Sequence, residues 1–193
     1  MAKSIDLLLL LLSSSFFLYP GNDELYVKEG KNATEIRAGL QSIYSKEIGV
    51  REKTNKNDGK RIGEYLSYTG LPEGYAWCAA FVSWTFMEAG FKEPKTAWSP
   101  SLFPAKRIIW KRSGGLVKRD HKVTVPSRGD VFGIYYTSYK RIAHAGFVDE
   151  WGDKYAITVE GNTNDGGIRE GDGVYRKRRP ISSIYQIADW VSQ

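Results

Sequence analysis

Hydrophobic residues recur at helical spacing in the part of the chain that follows residue 31. Asn32 and Glu35 have the spacing of a helix N-cap and its acidic partner, and apolar residues then share one helical face. Further on, an almost entirely apolar segment starts at Cys78 and ends before Gly90, a pattern typical of a buried helix. Three helices are therefore predicted, at about residues 34–49, 62–70 and 78–90.

The pattern changes after residue 123 to short runs of β-branched and aromatic residues that Gly, Asp, Asn and Pro separate. Residues 90–115 contain three prolines and are irregular, with a helical turn or two expected at residues 105–112. Helices followed by strands indicate an α+β domain whose helices pack on a mostly antiparallel sheet of about five strands. The strands are predicted at residues 131–136, 142–148, 155–159, 174–175 and 184–190.

Length and composition indicate one globular domain, which we place at residues 34–193, because 193 residues with 41% hydrophobic content can form one sizeable core. The net charge of +6 favours a polyanionic neighbour, which includes nucleic acid, anionic lipid and the acidic polymers of a cell envelope. No nucleic-acid-binding motif is present and the basic residues are scattered, so we expect no nucleic-acid partner.

The first twenty residues resemble a secretory signal peptide, because the apolar residues 7–18 follow Lys3 and the amino terminus. This run of about 12 residues is shorter than the roughly 20 that cross a bilayer, so no stable membrane insertion is expected after cleavage. An ordinary buried helix is the alternative. We predict a signal peptide at residues 1–20, a polar linker at residues 21–33 and export to the periplasm, cell envelope or medium.

Cys78 is the single cysteine of the chain and cannot form an internal disulfide. At the start of a helix, the unpaired backbone N–H groups and the helix dipole favour the thiolate, which is the nucleophilic form of cysteine. The alternative is a small buried apolar residue without a chemical role. The rest of the chain decides between these two interpretations.

His144 is the histidine most suited to act with this thiol, because it lies in a predicted strand, whereas His121 lies in a basic loop. Small neighbours of His144 favour close approach by another element, such as the start of the Cys78 helix. On the next strand, the period of two places Glu160 and Asn162 on one face. Either side chain can accept a hydrogen bond from the ring and fix its tautomer, and the sequence leaves open which one does.

Four segments together resemble the CHAP family, the cysteine- and histidine-dependent amidohydrolases and peptidases of the NlpC/P60 and papain-like group. They are residues 77–84, 128–132, 143–147 and 159–162. The resemblance implies a papain-like α+β fold, in which the helix that carries the nucleophile packs on the sheet. It also implies that Cys78 is the nucleophile, His144 the general base and then acid, and Glu160 and Asn162 the groups that orient the imidazole.

The implied reaction is hydrolysis of an amide bond in peptidoglycan through a thioester, either as an endopeptidase or as an N-acetylmuramoyl-L-alanine amidase. We expect substrate contacts from Trp77, Trp98 and Tyr135, and from Asn57 as a candidate second oxyanion donor beside the Cys78 backbone N–H. No cofactor and no metal are expected, because the loop at residues 55–59 has one carboxylate. The expected partner is peptidoglycan or a muropeptide, and the expected state is a monomer.

Two other functions stay open at this point. One is a cysteine amidase or deamidase effector that acts on a substrate outside the cell wall. The other is a wall-binding module that has lost its chemistry, although the presence of Cys78, His144, Glu160 and Asn162 together argues against it.

Overall fold

A computed structural model describes residues 32–119, 121–166 and 171–192 of the chain. The predicted signal peptide at residues 1–20 and nearly all of the linker at residues 21–33 lie outside these residues. Within the described ranges, no helix is long and apolar enough to cross a membrane.

Three α-helices form the first half of the described chain: α1 (Ala33–Lys46), α2 (Lys60–Tyr68) and α3 (Cys78–Glu88). The predicted capping interaction is present, since the Asn32 side chain accepts from the Glu35 backbone N–H and the Glu35 carboxylate accepts from the Asn32 N–H. Helix α3 begins at Cys78, as predicted, and its residues 78–86 are all buried. Because α3 has no solvent face, it forms the centre of the core.

Nine strands follow the helices in the part of the chain that the structure describes. They are β1 (Ile108–Lys111), β2 (Gly115–Leu116), β3 (Lys118–Arg119), β4 (Lys122–Val123), β5 (Val131–Tyr136), β6 (Arg141–Trp151), β7 (Tyr155–Thr163), β8 (Gly173–Pro180) and β9 (Gln186–Ala188). Seven of them form one sheet in the order β2-β1-β9-β5-β6-β7-β8, in which all neighbours are antiparallel, while β3 and β4 pair separately.

The α+β class is confirmed, and the arrangement is consistent with a papain-like fold, but the sheet has seven strands rather than about five. The two additional strands are β1 and β2. The helical turns expected at residues 105–112 are reduced to a single 3-10 turn at Ala105–Arg107, and the chain then enters β1. Residues 108–111 are extended because they pair with β9, which is some 75 residues distant in sequence. A local pattern of residues does not show that this distant pairing exists.

Two hydrophobic clusters pack against the sheet. The larger cluster joins α1, α2 and α3 to one side of β5, β6 and β7, and aromatic rings form its middle, with Phe147 stacked on Tyr44 and in contact with Phe81 and Phe86. The smaller cluster lies around Phe132. The first cluster holds α3 against β6 and β7, so the start of α3 is fixed relative to the strands that carry His144 and Glu160.

Close packing between α3 and β7 depends on Gly161. A Cβ atom at this position would lie 2.6 Å from Cζ3 of Trp77 and 2.9 Å from Cβ of Phe81, well inside van der Waals contact. The absence of a side chain at Gly161 therefore allows the nucleophile helix to approach the strand directly beside Glu160.

Candidate active site

Cys78 is the first residue of α3, where backbone N–H groups have no partner within the helix. Trp77 precedes the helix with φ −120° and provides no side-chain cap. The thiol is 5% exposed and lines the floor of a cleft. The sulfur is therefore reachable from the cleft and lies in the positive field of the helix terminus.

His144 lies on β6 between the thiol and a carboxylate. Its Nε2 atom is 2.8 Å from Oε2 of Glu160, and the ring also hydrogen-bonds the Cys78 thiol. Because Nε2 is engaged with Glu160, Nδ1 is the ring nitrogen that is left for the thiol. All three residues are nearly or completely buried, which strengthens each of these interactions.

Glu160 is held in place by three further hydrogen bonds. Arg179 donates from Nε to Oε1 and from Nη2 to Oε2, both at 2.5 Å, and the hydroxyl of Thr158 donates to Oε1 at 2.5 Å. Burial raises the pKa of a carboxyl group, but the bonds from Arg179 and His144 outweigh burial and hold the pKa of Glu160 well below its usual range. Glu160 is therefore a carboxylate near neutral pH.

The thiol and the imidazole change each other's ionisation. Burial alone would raise the pKa of Cys78, but the hydrogen bond and positive charge of His144 lower it from 9.0 to about 7. Burial alone would lower the pKa of His144, but its bonds to Cys78 and Glu160 raise it from 6.5 to about 9. Near neutral pH the pair therefore favours a thiolate beside an imidazolium, which is the reactive state of a cysteine nucleophile.

Two further groups, which the sequence did not indicate, contact the sulfur. The hydroxyl of Ser99 is 3.4 Å from the Cys78 sulfur, and the backbone N–H of Ala145 donates to the sulfur and lowers the thiol pKa. Ser99 is in a short 3-10 segment, Ser99–Leu102, and is 4% exposed. Nothing in the local pattern around Ser99 distinguishes it from other loop serines.

The sequence pattern did not indicate Arg179 either, because it belongs to a cluster of four consecutive basic residues at 176–179. The structure separates its members: Arg176 pairs with Asp149, Arg178 stacks on Tyr155, and Arg179 turns toward Glu160. Alternation along β8 places neighbouring residues on opposite faces, and pairing with β7 brings one face to Glu160. The period of two in this cluster was the signal that could have identified Arg179.

The open choice between Glu160 and Asn162 is decided by backbone geometry. Pairing between β7 and β8 shifts between Glu160 and Thr163, and Asn162 has a left-handed φ of 52°. The alternation that would place Asn162 beside Glu160 therefore does not continue to residue 162. The Asn162 amide instead donates to the side-chain oxygen of Asn57 at 2.8 Å, and Glu160 accepts the hydrogen bond of the ring, so of the two residues that the sequence left open it is Glu160 that contacts His144.

A cleft of about 460 Å³ opens beside Cys78. Its walls come from the loop after α2, the residues before α3, the loop at residues 95–99 and the start of β6. The residues that line it are Thr69, Leu71, Tyr75, Ala76, Cys78, Lys95, Thr96, Ala97, Trp98, Ser99, Arg141 and Ala143. A volume of this size suits a segment of a small or peptide ligand.

Of the four residues predicted to contact substrate, only Trp98 lies in this cleft, where it is 52% exposed. Trp77 is completely buried and donates its indole N–H to Glu52, so the prediction of substrate contact is wrong for Trp77. Tyr135 packs on Tyr185 outside the cleft lining.

Asn57 does not line the cleft beside Cys78. It lines a smaller pocket with Glu52 and Asp172, and its side-chain oxygen accepts a hydrogen bond from Asn162. The prediction of Asn57 as an oxyanion donor is therefore not supported by its position. The hydroxyl of Ser99 and the backbone N–H of Ala145 are donor groups in contact with the sulfur, and the backbone N–H of Cys78 lies at the start of α3.

Among residues 32–119, 121–166 and 171–192, no three His, Cys, Asp or Glu side chains are gathered in a way that could hold a metal ion.

Comparison with known proteins identifies the family of this site. Residues 70–162 match the family model of the CHAP domain, and this range contains Cys78, His144 and Glu160. No curated protein and no solved structure matches the chain significantly. The predicted resemblance to the CHAP family is confirmed.

Proposed function

Since residues 70–162 form a CHAP domain, the domain of cysteine- and histidine-dependent amidohydrolases, we propose that this protein hydrolyses amide bonds of peptidoglycan through a thioester on Cys78. The observation that carries the proposal is the chain of hydrogen bonds from Cys78 through His144 to Glu160. In this proposal Cys78 is the nucleophile, His144 the acid and base, and Glu160 the positioning group.

In the acylation step the Cys78 thiolate attacks the carbonyl carbon of the scissile amide, which forms the carbon–sulfur bond and an oxyanion. In this proposal the backbone N–H of Cys78 at the helix terminus donates to this oxyanion, and the Ser99 hydroxyl, 3.4 Å from the sulfur, is the candidate second donor. The imidazolium of His144 then gives its proton to the leaving nitrogen, and the carbon–nitrogen bond breaks.

In the deacylation step neutral His144 takes a proton from a water molecule, whose oxygen attacks the thioester. The thiolate leaves, and the imidazolium that forms restores the starting ion pair. Glu160 stabilises this imidazolium because its carboxylate is 2.8 Å from Nε2. Arg179 and Thr158 fix the carboxylate, so the ring can change its charge without changing its orientation.

The choice of peptidoglycan as substrate is supported by the CHAP domain, whose members are typically related to the cell wall, and by the net charge of +6. Export through the apolar segment at residues 7–18 belongs to the same proposal, because the enzyme must reach the wall.

The test is to incubate purified peptidoglycan with the protein and to identify new amino groups by mass spectrometry. We expect soluble fragments from the wild-type protein and none from Cys78→Ala or His144→Asn. The matched control is His121→Asn, which changes the other histidine, an exposed residue outside the cleft, and should retain full activity. Equal release by the wild-type and Cys78→Ala proteins, or no release by either, would refute the proposal.

A further inference from the structure

The lining of the cleft beside Cys78 contains basic side chains but no carboxyl group among the described residues. Lys95 and Arg141 are the basic side chains among its lining residues. No described carboxylate forms an ion pair with Lys95 or Arg141, whereas Arg37, Arg61, Arg176 and Arg179 all pair with carboxylates. Within the described residues, the cleft therefore presents two basic side chains that have no carboxylate partner.

Arg141 is held in a defined position in this cleft. Its guanidinium carbon lies 3.9 Å from the ring centroid of Trp98, and one N–H donates to the backbone oxygen of Ile142 at 3.0 Å. These two contacts orient the plane of the guanidinium. A guanidinium has five N–H groups, so most of them remain for a ligand.

Arg141 is also coupled to the reacting groups through the backbone of β6. It is three residues before His144 on the same strand, and Ala143 between them lines the cleft as well. Because Arg141 and His144 share this strand, a ligand group bound to Arg141 lies on the same side of the protein as the cleft that contains the thiol. This is the position of a subsite that selects substrates rather than of a remote surface charge.

We propose that Arg141, stacked on Trp98 and assisted by Lys95, forms a subsite for a carboxylate that the substrate carries close to the scissile amide. The inference rests on the proposed function in that Cys78 is taken as the reacting group of this cleft. A planar guanidinium matches a carboxylate with two parallel hydrogen bonds, and these charge-assisted bonds are stronger than neutral ones. The preferred substrates are then acidic peptides, and the corresponding carboxamides are poor substrates.

The first test measures the charge of the cleft without any hydrolysis. Iodoacetate and iodoacetamide both alkylate the Cys78 thiolate with loss of iodide, and they differ in that only iodoacetate carries a carboxylate. Because Cys78 is the single cysteine, the rates report this site alone. The ratio of the two rates cancels any change in the pKa of the thiol, since both reagents react with the same thiolate.

We expect Arg141→Gln to lower the iodoacetate-to-iodoacetamide rate ratio by about fivefold or more, the effect of about 1 kcal/mol of lost attraction for the anion. The matched control is Arg178→Gln, because Arg178 also stacks on an exposed aromatic ring, Tyr155, at 3.5 Å, but lies outside the cleft lining. Arg178→Gln should leave the ratio unchanged. An unchanged ratio in Arg141→Gln would overturn the proposal.

The second test uses pairs of peptide amides that differ in one group, a side-chain carboxylate or its carboxamide. We expect the wild-type protein to hydrolyse the acidic member with a kcat/KM at least tenfold higher, and Arg141→Gln to bring the ratio of the two kcat/KM values close to one. Equal kcat/KM values for both peptides with the wild-type protein would overturn the subsite.

The two tests separate failure of the subsite from failure of the proposed function. If the protein hydrolyses neither peptide nor peptidoglycan but the alkylation ratio still depends on Arg141, the hydrolase proposal fails and the anion subsite stands. If peptidoglycan is hydrolysed but the ratio is the same in wild-type and Arg141→Gln proteins, the subsite fails and the hydrolase proposal stands.

Discussion

Replacing Glu160 with glutamine removes the negative charge that stabilises the His144 imidazolium and leaves the shape of the side chain almost unchanged. In the wild-type protein the pKa of Cys78 is about 7 and that of His144 about 9, so the ion pair exists near neutral pH. A hydrogen bond between charged groups contributes about 1.5 to 3 kcal/mol, which corresponds to about one to two pKa units. We therefore expect the imidazolium, and with it the thiolate, to be destabilised by about this amount in Glu160→Gln.

The consequence at pH 7 is a loss of thiolate. A rise of the Cys78 pKa by about one to two units lowers the thiolate fraction from about one half to between about a tenth and a hundredth. The second-order rate of alkylation by iodoacetamide at pH 7 should fall by about 5- to 50-fold, and the midpoint of the rate against pH should move to higher pH. Hydrolysis should decrease at least as much, because the leaving group also needs the imidazolium.

Arg179 complicates this experiment, because Glu160→Gln leaves a mostly buried guanidinium without its carboxylate. Circular dichroism and a thermal melt of the variant establish whether it folds at the assay temperature. The matched control is Thr158→Val, which removes one hydrogen bond to Glu160 but keeps the charge, and should leave the midpoint close to the wild-type value. A folded Glu160→Gln protein whose alkylation midpoint equals that of the wild type would contradict the role assigned to Glu160.

Two further predictions test the ionisation of the site and the packing that supports it. The kcat/KM for an amide substrate should rise with pH through about 7 as Cys78 loses its proton, and should fall above about 9 as His144 loses the proton that the leaving nitrogen needs; a pH-rate profile that is flat between 6 and 10 would exclude this pair. Gly161→Ala should lower the free energy of unfolding by about 1 to 3 kcal/mol in urea denaturation, because the new methyl group meets Trp77 and Phe81. Gly39→Ala, inside α1 with no atom within 4 Å, is its control and should stabilise the protein by up to about 1 kcal/mol.

The local sequence was sufficient to predict the helices and to place Cys78 at the start of one of them. The N-cap at Asn32, the apolar run after Cys78 and the glycine at residue 90 are signals between near neighbours in the chain, so the helix bounds and the position of the thiol at a helix start were predictable. The five predicted strands are likewise present, because alternation and β-branched residues are local properties. Sequence also indicated that Cys78, His144 and Glu160 belong together, and the structure shows their side chains in contact.

Tertiary structure alone decided which side chains meet around these three residues. Arg179 contacts Glu160 through the register of β7 with β8, Ser99 contacts the sulfur through a loop that folds back over α3, and Arg141 enters the cleft beside Trp98. Each of these contacts joins residues at least 19 positions apart, so a local period can indicate which face a residue occupies but not which partner it meets. The left-handed backbone at Asn162 separates two residues that the sequence pattern had grouped. The Asn162 side chain, which could accept a hydrogen bond from the ring, contacts Asn57 instead. Sequence was thus sufficient to single out Cys78 as the candidate nucleophile, whereas packing and strand register determined which groups contact His144 and Glu160 and which basic side chains line the cleft.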